Sequence, residues 1–243
     1  MKTDTYSPQP YRPAFLRLPV DAVQPLVHLA WFAAGSALGF AVPFVFTSLL
    51  DLQHDLYYGL YFDIALAFLA AYVRATGLDV AALFRENWRW SLALALPATA
   101  FVVANVLSRD GTPGPSGAYA VFESGWRGAV YGTVDALLLT AFPAAVAFSL
   151  LAGKVAGLRR RALFAAVMLP LVLIVTGAYH LGYEQFREDG IAAPETGNTM
   201  MSVPALLTGN PLGSVLTHAA MHVTADLHAY ETDVFLPPQS DAP

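Results

Sequence analysis

The stretch Asn210 to Tyr230, NPLGSVLTHAAMHVTADLHAY, places His218, His222, Asp226 and His228 in a run long and apolar enough to cross a bilayer. Ionisable side chains at membrane depth are expensive and normally face a protein interior or a water-filled cavity, so they mark a candidate functional site. A spacing of four puts the His218 and His222 imidazoles on one face of a helix, one turn apart, and Asp226 continues the stripe. Such a set suits metal ligation, proton transfer or acid–base catalysis. It also suits hydrogen bonding that merely holds helices together, and the spacing alone does not choose.

Composition describes the scaffold that must position these groups. Of 243 residues, 56% are apolar and 13% charged, with a mean hydropathy of +0.50, and the apolar residues arrive in blocks of membrane-spanning length. The chain reads as an all-α polytopic transmembrane helical bundle in the cytoplasmic membrane, without room for a separate soluble domain. The short alternating strands of a transmembrane barrel are absent. The sequence contains no cysteine, which excludes disulfides, thiolate metal sites, a cysteine nucleophile and Fe–S ligation. A net charge of −5 without a basic patch argues against a nucleic-acid partner. Residues 1–22 lack the apolar core and small-residue cleavage site of a removable signal peptide.

Residues 1–23 form a polar tail, residues 24–230 the transmembrane bundle and residues 231–243 a second tail. Six spans are predicted at about 25–50, 56–73, 91–107, 129–152, 162–181 and 210–230. The segment 74–90 reads as an amphipathic connection, 108–117 as a turn-rich loop, and 182–209 as mostly polar with an interfacial or re-entrant apolar patch at 200–207. With a cytoplasmic N-terminus, the inner side holds ten basic residues, Lys2, Arg12, Arg17, Arg74, Arg85, Arg89, Lys154, Arg159, Arg160 and Arg161, and the outer side three, Arg109, Arg127 and Arg187. That positive-inside bias predicts both termini in the cytoplasm.

The same topology gathers the remaining polar groups at one depth. Asp63 falls in the outer half of the second span, Glu123 and Arg127 just before the fourth, Asp135 about two turns into it, and His180 at the outer end of the fifth. Counting from Asn210, His218 lies about 12 Å deep and His222 about 18 Å. A shared cavity opening outward or sideways to lipid, formed by spans two, four, five and six, follows as an expectation.

Three short motifs carry a family resemblance. FESGWRGAVYG at 122–132 resembles the first motif of the CPBP family, which includes CAAX prenyl endopeptidases of the Rce1 type and bacteriocin-processing intramembrane proteases. Glu123, Arg127 and Gly128 match its second glutamate, arginine and glycine, while Phe122 stands where the family has its first glutamate. GAYHLGY resembles the second motif, with His180 at its histidine and Thr176 where an aromatic residue is usual. SVLTHAAMH resembles the third, with His218 at its histidine and His222 where asparagine is usual. The similarity spans about 118–225. It implies hydrolysis of a membrane-associated peptide by activated water without a required cofactor: Glu123 as base helped by His180, Arg127 orienting Glu123, and His218 and His222 stabilising the oxyanion.

The residues also support a non-enzymatic reading. His180, His218, His222 and Asp226 could hold a divalent metal, or a haem could be ligated between His180 and the last span. A proton-coupled carrier using Asp63 and Asp135 lacks the inverted repeats and broken helices of such proteins. A retinal Schiff base is excluded, because the only lysines, Lys2 and Lys154, lie outside the spans.

Overall fold

The computed structural model describes residues 20–230; the tails expected at both ends, with Lys2, Arg12 and Arg17, lie outside the described residues. The described chain is helical, and β pairing among the described residues is limited to an isolated bridge between Thr112 and Ala229. Helix α1 (Val20–Pro43) runs on through a wide π-type turn (Phe44–Leu49). It is followed by α2 (His54–Thr76), the short α3 (Val80–Arg85) and α4 (Trp88–Leu107). Helix α5 (Gly117–Leu150) is continuous but contains two π-type segments, Ser124–Tyr131 and Leu137–Ala141. Then come α6 (Leu158–Leu181), α7 (Glu184–Asp189), α8 (Ala192–Thr208) and α9 (Leu212–His228).

Among the described residues, α1, α2, α4, α5 and α6 are long and apolar enough to cross a membrane. Their outer faces carry exposed large apolar side chains such as Leu96, Phe101 and Ile174, the pattern of a bundle whose solvent is lipid. The protein is a multi-pass membrane protein. Helix α5 is its axis: 78% of its most apolar window is buried inside the protein, against 22–44% for the other four. Around it, α9 packs on α4 and on the Ser124–Ala136 part of α5, α8 packs on α6 and α4, and α1 packs on α6.

Three features differ from the sequence expectation. The fourth span begins at Gly117, so Glu123 and Arg127 lie within a helix. The segment expected to be mostly polar, 182–209, forms α7 and the 17-residue α8. Helix α8 is legible as a helix only in context, because its buried Asn198 and Ser202 find hydrogen-bond partners on neighbouring helices, while Thr208 bonds back to the Pro204 carbonyl. Because α8 carries the chain across the bundle, α9 starts at the end opposite to the expected one. Gly209 closes α8 in the left-handed conformation (φ +74°). Asn210 then donates through its side-chain amide to the carbonyls of Phe84 (2.8 Å) and Glu86 (2.6 Å). This is the basic end, where Arg161 also donates to Asn87 at 3.0 Å. At the far end of α9, His228 Nε2 donates to the Arg109 carbonyl (2.9 Å) and the Thr112 amide to the His228 carbonyl (3.0 Å).

Candidate functional site

Helix α9 is held close to α5 by two glycines one turn apart. A Cβ added at Gly128 would lie 2.8 Å from the Val223 Cα, and one at Gly132 would lie 2.9 Å from the His222 Cβ. Only glycine permits this backbone approach, the small-residue packing common between membrane helices. One turn beyond Gly132, between the two π-type segments, α5 presents Asp135. Widened turns of this kind redirect side chains and recur at functional sites.

His218 and His222 meet Asp135 there. His218 Nε2 lies 3.1 Å and His222 Nε2 3.8 Å from the same oxygen, Oδ2 of Asp135. The two imidazoles stack at 5.1 Å with planes 13° apart, and all three side chains are buried. The other carboxylate oxygen is occupied: Tyr61 Oη donates to Oδ1 at 2.8 Å. The carboxylate is thereby fixed with one oxygen aimed at both histidines.

Potential ligand atoms of Asp135, His218 and His222 all lie within 4.8 Å of one another. Ligands about 2.0–2.2 Å from a common zinc-like ion would sit roughly 3–3.5 Å apart, so small side-chain adjustments suffice to form a three-ligand site. His218 Nδ1 and both nitrogens of His222 are buried without a hydrogen-bond partner in the protein. An unsatisfied buried polar atom costs about 1–3 kcal/mol, and an ion, a water or a ligand polar group could satisfy these.

Six buried tyrosines border the cluster: Tyr57, Tyr58, Tyr61, Tyr131, Tyr179 and Tyr183. Tyr131 and Tyr179 hydroxyls are 2.6 Å apart, Tyr179 and Tyr183 2.7 Å, and Tyr57 joins them through Tyr183. Burial raises the pKa of Tyr183, which lies beyond the end of α6, well above the ordinary phenol value, so it stays a neutral donor. Tyr131, Tyr179 and Tyr183 line a cavity of about 490 Å³ together with Asp135, His180, His218 and His222. His180 Nδ1 is 2.8 Å from the Thr176 carbonyl. A carbonyl only accepts, so Nδ1 carries the proton and Nε2 is the basic nitrogen of the neutral ring.

The cavity leaves out several residues that sequence spacing had assigned to it. Glu123 and Arg127 do not line it. They form a second buried cluster, with Arg127 Nη1 3.5 Å from Glu123 Oε2, Tyr230 Oη donating to that oxygen at 3.3 Å, and the guanidinium 4.1 Å from the centre of the Tyr230 ring. Asp226 is also absent from the cavity lining and from the three-ligand group, because positions 218, 222 and 226 drift by about 40° per step around a helix. Asp135 takes the carboxylate role that Asp226 was expected to fill. Asp63 is exposed: Tyr61 and Ala65 face inward, and a residue two positions away points to the opposite side. The sequence reading had placed Asp135 in the cavity but missed the GxxxG approach, visible as Gly128 and Gly132, and the role of Tyr61.

Comparison with protein families, with curated proteins and with solved structures gives no match for this chain.

Proposed function

We propose that the protein is a cytoplasmic-membrane metalloprotein whose Asp135, His218 and His222 hold a first-row divalent ion and present it to a membrane-embedded substrate. The observation that carries this reading is the convergence of two imidazole nitrogens on one carboxylate oxygen at 3.1 and 3.8 Å, with the other oxygen tied to Tyr61. Two histidines and a carboxylate with no thiolate suit zinc, iron or manganese, and three protein ligands leave coordination positions open for water or substrate. An ion held there would act as a Lewis acid at the cavity. His180, with Nε2 as its basic nitrogen, would receive or return a proton. Together these parts suit hydrolysis.

In this reading α8 and α9 cross the membrane along with the five longer helices. At 17 residues each they span about 25 Å, at the short end of what crosses a bilayer. The basic end, with Arg74, Arg85, Arg89, Lys154 and Arg159 to Arg161, faces the cytoplasm. The cavity then opens on the opposite half, and α9 ends on the outer side.

The CPBP-like peptidase is a second reading, supported by His180 and His218 lining one cavity. It would require Glu123 to activate water, although Glu123 is engaged with Arg127 and Tyr230 away from that cavity. Metal content of the purified protein, measured by mass spectrometry beside Asp135→Asn and Glu123→Gln, separates the two. About one divalent ion per chain, lost in Asp135→Asn and kept in Glu123→Gln, is expected. A metal-free protein whose peptidase activity depends on Glu123 would replace the metal reading with the CPBP one.

A further inference from the structure

The cavity has a side entrance. Phe101 and Asn105 of α4, four apart on one helix face, line it with Arg109 just past the helix end; from α8, Ala193, Gly197 and Met200, spaced four and three apart, do the same. Phe101 and Met200 are exposed, 57% and 40%, although both are large and apolar. The small residues Ala193 and Gly197 leave space between the two faces unfilled, and a Cβ added at Gly197 would meet nothing within 4 Å. The gap is thus a cleft between two helices, at the level where neighbouring exposed side chains face lipid.

The lining is chemically divided. Asp135, His218, His222 and the tyrosine hydroxyls form its polar part; Phe101, Val102, Leu139, Met200, Met201 and Met221 form an apolar part, with Asn105, Arg109 and Thr196 also on the lining. Methionines give such a wall an adaptable apolar surface. A water-soluble substrate would have no use for an apolar slot that opens sideways. A hydrocarbon chain leaving the polar part through the cleft would pass into lipid without crossing water.

We infer that the site takes a long-chain amphiphile from the bilayer, its hydrocarbon chain lying in the cleft between α4 and α8 and its polar group reaching the Asp135–His218–His222 cluster. Its role as a substrate rests on the metal reading above; its path of entry does not. The volume of about 490 Å³ lies within the range of small-molecule sites, so only part of a lipid is enclosed and the remainder stays in the membrane.

A photoreactive diazirine analogue of palmitic acid, added to the detergent-solubilised full chain and mapped by peptide mass spectrometry, tests this. Labelling should concentrate on peptides containing Phe101 to Asn105 and Gly197 to Met201. Gly197→Phe, which fills open space and removes a helix glycine, should cut that labelling roughly tenfold. Gly197→Ala should leave it intact. Equal labelling of all lipid-facing helices, or cleft labelling unchanged in Gly197→Phe, would overturn the inference. Cleft labelling that Gly197→Phe abolishes, in a protein found to hold no metal, would keep the amphiphile and discard the metal reading alone.

Discussion

Two buried polar clusters lie along the contact between α5 and α9, and they differ in how their charge is treated. At Glu123, Arg127 and Tyr230, a guanidinium meets a carboxylate and lies over an aromatic ring. Asp226 is buried too, and its carboxylate also lies near Arg127. Buried polar atoms without a hydrogen-bond partner occur at both, Glu123 Oε1, Arg127 Nε and Nη2 and Asp226 Oδ1 at the first and His218 Nδ1 and both His222 nitrogens at the second, but among the described residues only Asp135, His218 and His222 bring three potential ligand atoms together, and they border a cavity. A buried charge supplied with its counter-charge is part of the scaffold. A buried convergence of ligand atoms open to a cavity is a candidate binding site. The contrast teaches that counting ionisable residues in spans finds both clusters, whereas convergence of ligand atoms beside a cavity tells them apart.

The sharpest way to break the comparison is to remove one ligand. Asp135→Asn or His218→Ala should eliminate bound metal while the helical content seen by circular dichroism is retained; undiminished metal in either variant would dissolve the distinction. Next in size, Arg127→Ala should leave buried acids uncompensated and lower stability by about 3–5 kcal/mol, read as a fall in the thermal midpoint in detergent, with metal stoichiometry of the folded fraction unchanged. Tyr61→Phe keeps the ring but frees Oδ1 of Asp135. A lost carboxylate partner of this kind weakens metal affinity by about 10–100-fold, measurable by competition with a chelating dye. Smallest of all, Asp63→Asn, on the exposed side of α2, should change neither metal affinity nor stability by more than about 0.5 kcal/mol.

Much of this was legible in the sequence for a physical reason. Lipid demands long apolar helices, so α1, α2, α4 and α6 are visible as blocks, and the four-residue spacing of His218 and His222 fixes a shared helix face regardless of context. What stayed hidden depended on neighbours. Helix α8 carries Asn198 and Ser202, whose burial is offset by partners on other helices, Thr140 of α5 and Thr176 of α6, so hydropathy does not reveal it. Missing α8 inverted the sense of α9, and with it the end of the bundle from which His218 and His222 are counted. Asp226 looked like the natural companion of His222 because both share a helix, yet the partner came from α5, turned inward by π-type segments that have no simple sequence signature. Glu123 and Arg127 resembled a catalytic motif by spacing, but an i, i+4 acid–base pair is equally a local ion pair.

The most direct test of the central claim is an anomalous difference map from crystals of the full chain soaked in zinc. The account predicts a strong peak bonded to Nε2 of His218, Nε2 of His222 and Oδ2 of Asp135, with Tyr61 still donating to Oδ1. A map with no peak at these atoms, or with its peak between Glu123 and Asp226, would contradict it.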